Sequence, residues 1–267
     1  MTRLIRTLEL DEIRTLLDWA AAEGWNPGLS DALPFQAADP SGFIGAFIDG
    51  VMVAAISAVA YDEHFGFIGL YICHKDWRGQ GHGKAVWDAG MAHLGSRTIG
   101  LDGVPEQQAN YGRMGFVRAY ETVRMSGTLA GQTSAALPAR VDDVAGYDRA
   151  CFPAERRNFL EAWLMSPNQY LAVSTNGDLR GYAVVRSCVE GFKIGPLFAD
   201  TVDLALDLLG PIAGPVQIDV PVQQEAFIDA LQSRRFVPGF MTARMYRGRP
   251  PELEQHRVFG ITSLELG

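Results

Sequence analysis

The sequence predicts two copies of one α/β unit, and three observations carry that reading. A two-residue turn signal, Asp49-Gly50, recurs as Asn176-Gly177, each ten residues after a proline (Pro40 and Pro167), at an offset of 127. The string Asp102-Gly103-Val104-Pro105-Glu106-Gln107-Gln108 is echoed by Asp219-Val220-Pro221-Val222-Gln223-Gln224 at an offset of 117. Phe116-Val117 and Arg124-Met125 return as Phe236-Val237 and Arg244-Met245, both at an offset of 120. These landmarks keep one order along the chain, as an internal repeat requires. The reading places a linker at Gly127 to Gln132 and divides the chain into residues 1–128 and 133–267.

Leu10, Ile13, Leu16, Leu17 and Ala20 follow a 3.6-residue period, with Asp11 and Glu12 in the first turn, and predict an amphipathic helix. Gly24-Trp25-Asn26-Pro27-Gly28 ends it as a loop. Phe43–Ile48 and Val51–Ala60 read as strands joined in a hairpin at Asp49-Gly50, and Phe65–Cys73 as a further strand. Ala85, Val86, Ala89 and Leu94 return to a helical period. In the second half, Tyr170–Ser174 and Leu179–Cys188 flank the turn at Asn176-Gly177.

Composition bounds the function. The chain has 267 residues, 48% hydrophobic and 20% charged, which suffices for a substantial core. It holds no run of 18 apolar residues, and Arg3 and Arg6 interrupt any signal-peptide core, so a cytoplasmic protein without a membrane partner is expected. Three widely spaced cysteines (73, 151, 188) and five histidines without ligand spacing predict neither a disulfide framework nor a metal. A net charge of −8 with no basic stretch argues against nucleic acid.

Between the strand Phe65–Cys73 and the following helix stands Arg78-Gly79-Gln80-Gly81-His82-Gly83-Lys84. Such a turn leaves backbone N–H groups pointing one way. Glycine admits a ligand close to that backbone, and the helix dipole adds positive potential, so an anion site is expected. Walker spacing fails because Arg78 replaces its first glycine and Ala85 its hydroxyl; Rossmann spacing fails because Gly79-x-Gly81-x-Gly83 is not G-x-G-x-x-G.

The loop resembles the pyrophosphate loop R/Q-x-x-G-x-G/A of the GCN5-related N-acetyltransferases (GNAT), with Arg78, Gly81 and Gly83 in its fixed positions. Lys75-Asp76-Trp77 resembles the end of that family's fourth strand, and Asn110-Tyr111-Gly112-Arg113-Met114-Gly115-Phe116 contains its Y-x-x-x-G-F motif. The resemblance implies an α/β (α+β, mixed-sheet) fold with two GNAT-like domains in tandem. The second would be degenerate, because Tyr111 corresponds to Leu231 and Gly115 to Arg235, and Lys193–Asp200, read as the loop's counterpart, has one glycine.

The same resemblance implies acetyl-CoA as co-substrate. Its pyrophosphate would lie on Gly79, Gln80, Gly81, His82, Gly83 and Lys84, with Arg78 and Lys84 supplying charge and its pantetheine arm along Ile72 and Cys73. Asn110 either bonds that arm or caps a helix. Tyr111 would protonate the departing thiolate, and backbone N–H groups near Cys73 would hold the oxyanion. Cys73 reads as a small apolar filler rather than a nucleophile. For a base that deprotonates the amine, Asp102 is the candidate, although Asp219 holds the same place in the degenerate copy and suggests a turn role; His74 and Glu63 are weaker ones.

Trp25, Phe35 and Trp77 are candidates to line the acceptor pocket, together with the loop from Gly24 to Leu33. The tail after Pro250-Pro251, through Val258–Thr262, adds a strand or seals the domain interface. The expected partner is a small-molecule or peptide amine, met by a monomer or homodimer. A CoA-binding protein without turnover, and a partner-binding protein with a relic loop, are the competing readings.

Overall fold

The computed structural model describes residues 2–132, 141–165 and 167–267, and all statements of structure concern these. The first half runs β1 (Arg3–Thr7), α1 (Leu10–Ala22), α2 (Ala32–Ala38), β2 (Phe43–Ile48), β3 (Val51–Ala60), β4 (Phe65–Cys73), α3 (His82–Leu94), β5 (Thr98–Gly103), α4 (Pro105–Arg113) and β6 (Val117–Ala130). The second runs α5 (Val141–Cys151), α6 (Arg157–Trp163), β7 (Gln169–Thr175), β8 (Asp178–Ser187), β9 (Phe192–Ala199), α7 (Val202–Leu209), β10 (Ala213–Pro221), α8 (Glu225–Ser233), β11 (Val237–Arg247) and β12 (Val258–Gly260).

The hairpin readings hold. Asp49 and Gly50, and likewise Asn176 and Gly177, all have positive φ, as a two-residue hairpin turn requires. Strand β1 and helix α2 were not read from the sequence, whereas the tail adds a strand, one of the two roles expected of it. The run containing Arg3 and Arg6 is an edge strand, paired antiparallel with β2 and with no strand on its other side. The short α2 lies in what reads as loop. The tail's strand β12 pairs antiparallel with β9. Lys75–Trp77 is a single 3₁₀ turn after β4 has ended at Cys73, not the end of the strand.

All strands join one mixed sheet in the order β1-β2-β3-β4-β5-β11-β6-β10-β9-β8-β7, with β12 beside β9. The halves therefore exchange a strand: β11 of the second half lies between β5 and β6, and β6 of the first half lies between β11 and β10. The linker placed at Gly127–Gln132 is corrected by this arrangement. Gly127 through Ala130 continue β6 and pair with Val216 through Ala213 of β10. Gly127 stays in the strand because the ring of Phe236 covers it, leaving no room for a side chain.

Helices α3 and α4 cover one face of the first half, and α7 and α8 one face of the second. On the other face α1, α2, α5 and α6 share one core across both halves. Phe35 lies at the centre of that core, fully buried and stacked on Phe43 (6.3 Å) and Trp163 (6.0 Å). It is a packing residue, so its assignment to the acceptor pocket is corrected.

Lys193–Asp200 is also corrected as the counterpart of the glycine loop. At the 127 offset, β9 is the counterpart of β4 itself. The second copy passes from β9 into α7 through Asp200 and Thr201 alone, with Thr201 Oγ1 accepting from the Leu204 N–H at 3.3 Å. A side-chain cap thus replaces the anion-binding turn.

Candidate active site

Parallel pairing of β4 with β5 runs only from Phe65↔Thr98 to Ile68↔Leu101. Beyond that point the strands splay, and β4 carries an extra residue opposite β3, with Leu70 at φ 45°. A bulge with a non-glycine residue in the left-handed region re-aims a strand, and such features gather at functional sites. Here it turns Leu70–Cys73 along a cleft of about 650 Å³. The cleft is lined by β4 from Ile68 to Cys73, by Asp102, Glu106 and Tyr111 from β5 and α4, and by Arg124, Phe240 and Thr242 from the exchanged strands.

Arg78 lines the cleft, and the glycine loop runs on from it; residues 79–84 themselves do not line the cleft. Gly79 (φ 78°) and Gly81 (φ 79°) both adopt left-handed backbone, and a Cβ on either would meet nothing within 4 Å. Among the described residues, the N–H groups of residues 79–84 make no hydrogen bond to a backbone carbonyl; the Gly83 N–H meets the Cys73 thiol, and the others open α3 as free donors. The cations beside them are engaged. Arg78 donates to the Cys73 carbonyl (3.0 Å) and pairs with Glu23 (2.6 Å), while Lys84 pairs with Asp88 (2.5 Å). His82 is buried edge-on to Trp77, which faces this packing and does not line the cleft.

Tyr111 projects from α4 into the cleft, its ring stacked on Trp87 at 5.7 Å and held edge-on by Phe116 at 6.2 Å. Its hydroxyl has no hydrogen-bond partner among the described residues. Burial, reinforced by Tyr71, pushes its pKa up to about 12, so the phenol is a neutral donor. Ile72 and Cys73 both line the cleft. Burial also raises the Cys73 thiol above its ordinary value, which leaves it protonated and fits a filler. Asn110 is elsewhere: its amide donates to Gln107 (2.7 Å) and its oxygen accepts from Arg113, along the outside of α4.

Asp102 is not free to work as a base. Its carboxylate is buried and accepts two hydrogen bonds from Arg244, at 2.8 and 2.9 Å. Arg244 lies directly opposite it on β11. The same pair recurs in the second half, where Asp219 accepts from Arg124 at 2.8 and 2.9 Å across the β10–β6 register. Each half's aspartate is therefore paired with the arginine of the other half's exchanged strand. The two repeated Arg-Met and two repeated aspartates were legible signals for this pairing. Only the strand exchange, which no local pattern records, brings them together. Nor does Asp102 begin a turn: it lies within β5. His74 packs against Trp19, ring centroids 5.5 Å apart, and is likewise outside the cleft.

Trp25 lines the cleft as expected, and its carbonyl accepts from buried Lys193 at 2.8 Å. The loop around it docks on the second half. Gly28 bridges Cys188, the Leu29 N–H donates to the Ser187 carbonyl (2.9 Å), and buried Asp31 pairs with Arg186 (2.5 Å). The sequence reading missed Glu265. It comes from the tail, is 3% exposed, and reaches the cleft wall beside Leu264.

A splayed parallel pair, a glycine loop opening a helix and a tyrosine across the cleft define a CoA-dependent acyltransferase of the GNAT type. The comparisons agree. The model described as "Acetyltransferase (GNAT) family" matches residues 10–116, and that described as "Acetyltransferase (GNAT) domain" matches residues 144–260. The chain is 32% identical to the holothin acyltransferase of Pseudoalteromonas sp. (strain SANK 73390), over 97% of this chain and 92% of that one. It belongs to the GNAT family, as a tandem acyltransferase. Two solved structures share the fold. A putative acetyltransferase from Pyrococcus horikoshii has a TM-score of 0.83 at 22% identity, covering 99% of this chain and 96% of that one. A tandem GNAT protein from the clavulanic acid biosynthesis pathway has a TM-score of 0.60 at 15% identity, covering 93% and 100%. None of the helices among the described residues is long and apolar enough to cross a membrane.

Proposed function

We propose that the protein transfers acetyl from acetyl-CoA to a primary amine by direct attack, at one active site per chain. The observation that carries this reading is the open β4–β5 splay and the unpartnered Tyr111 hydroxyl along one cleft, with the loop N–H groups following directly on Arg78 at its wall. Acetyl-CoA supplies a thioester whose carbonyl carbon the amine attacks. The N–H groups of residues 79–84 hold its pyrophosphate, and the exposed edge of Leu70–Cys73 orients the pantetheine. Arg78 and Lys84 enter only by leaving their present carboxylate partners, so backbone donors do most of the holding. Tyr111 protonates the leaving sulfur.

In this reading residues 1–128 form the catalytic unit and 133–267 the degenerate one, each completed by a strand of the other. Asp102 holds Arg244 and with it the cleft wall. Trp25, Phe240 and Leu264 shape the acceptor side. Among the described residues, the acidic Glu106 and Glu265 carry no ion pair, whereas Arg78 and Arg124 do, which favours a cationic acceptor. The holothin-directed relative supports a small molecule over a protein lysine. Calorimetry with acetyl-CoA and a free-thiol release assay over an amine panel test the reading. Binding with 1:1 stoichiometry and amine-dependent thiol release are expected. Binding without turnover over the whole panel would leave a CoA-holding protein instead.

A further inference from the structure

The tail does more than seal an interface. In the second half, β9 and β10 pair in parallel only from Phe192↔Val216 to Ile194↔Ile218 and then splay, as β4 and β5 do. That opening is filled. Strand β12 pairs with β9 (Val258↔Phe198), the Ile261 N–H donates to the Asp219 carbonyl at 3.0 Å, and Gln224 Nε2 donates to the carbonyls of Gln255, His256 and Val258 at 3.0–3.1 Å. The chain thus occupies, with its own backbone, the slot that the first half keeps open.

From there the tail crosses to the bulge of β4. Ser57 Oγ donates to the Glu265 carbonyl (3.4 Å), Tyr61 to the Leu266 carbonyl (2.9 Å), and the Leu266 and Gly267 N–H groups close a turn on Ser263 (3.1 and 3.0 Å). Gly69 is the seat: a side chain there would collide with the Glu265 carbonyl. So anchored, the Glu265 side chain is buried at the cleft wall with no hydrogen bond or ion pair among the described residues. The charged groups that feel its charge are Lys193, Arg124 and Arg186 from β9, β6 and β8, and Asp31 and Asp102. Arg124, Arg186 and Asp102 are each committed to a bidentate or close ion pair, and Lys193 to the Trp25 carbonyl. Glu265 is the carboxylate in this group left without a direct partner.

We propose that Glu265 receives the acceptor's ammonium and takes its proton, and that the tail fills the second slot in order to carry it there. This rests on the amine-acetyltransferase reading above. The ammonium gives one proton to the Glu265 carboxylate, which passes it to solvent. The nitrogen lone pair forms the N–C bond, the C–S bond breaks with its pair going to sulfur, and the Tyr111 proton completes the thiol. The second N–H proton returns to Tyr111 through water, so one proton leaves per turnover.

The test uses the full chain, acetyl-CoA and whichever panel amine it acetylates. Glu265→Gln is expected to lower kcat/KM for the amine at least 100-fold at pH 7, leave acetyl-CoA affinity within threefold, and recover activity as pH rises toward the amine's own pKa. A Gln variant within threefold of wild type at all pH values overturns the assignment while leaving the acetyltransferase reading intact. Absence of turnover in wild type with every amine sinks both. If Glu265→Gln does not fold, Glu265→Asp decides. A tenfold or greater loss in kcat/KM for the amine, with unchanged acetyl-CoA binding, supports the role. A loss below threefold overturns it.

Discussion

The hydroxyl of Tyr111 stays neutral because its surroundings cannot solvate a phenolate, and its pKa of about 12 lies above any ordinary assay range. Two outcomes follow. Tyr111→Phe keeps the ring stack on Trp87, so the thermal midpoint should hold while kcat falls about 100-fold, read by thiol release. Tyr111 should also contribute no basic limb to kcat below about pH 10; a limb at pH 8 that the Phe variant abolishes would count against it. Asp102 contrasts with it. Removing one partner of a buried, bidentate pair leaves the other charge stranded, so Asp102→Asn and Asp219→Asn should each cost about 3–5 kcal/mol in urea unfolding. Kinetic loss in Asp102→Asn with full stability would restore it as the base. The sequence marked Tyr111 through a motif with fixed spacing. It offered Asp102 by position alone, and its partner lies 142 residues away.

At the scale of an element, the loop opening α3 shows what spacing can specify. Two left-handed glycines with empty space around them are a backbone requirement, and such requirements are written locally. Gly81→Ala should cost about 1–2 kcal/mol for its positive φ. Because nothing clashes, the fold should survive with acetyl-CoA affinity reduced tenfold or more by calorimetry. The hairpins were legible for the same reason. Strand β1, helix α2 and the route of the tail were not, since each is fixed by what it packs on: β2, α6 and the second half's splay. Phe35 illustrates the ambiguity. An aromatic near a functional loop serves equally as wall or core, and only the neighbouring Trp163 from the other half decides.

For the whole molecule, the exchange of β6 and β11 makes one folding unit of two sequence repeats. Residues 1–132 expressed alone should show no cooperative unfolding transition by circular dichroism, because β5 and β6 lose the strand between them. The repeat itself was legible; its interlocking was not, because offsets record similarity and not pairing. The Asp219–Arg124 pair also sets an acid limit. Burial pushes the Asp219 carboxyl up, but the charge and hydrogen bonds of Arg124 prevail and hold it below its ordinary value. A folded-state pKa below the unfolded one gives stability that is present above about pH 4 and lost as pH falls through the folded value. The thermal midpoint should therefore drop on acidification below pH 4, and less steeply in Asp219→Asn. The exchange has a further consequence in time. As the chain leaves the ribosome, β5 is finished near residue 103, but its neighbour β11 begins at residue 237. At about 5–20 residues per second, the edge of the catalytic half waits unpaired for roughly 7–27 seconds. During that interval it is a template for any other extended segment. Synthesis of this enzyme is exposed to mispairing with a second nascent copy, and holding chaperones should matter for its yield more than its final stability would suggest.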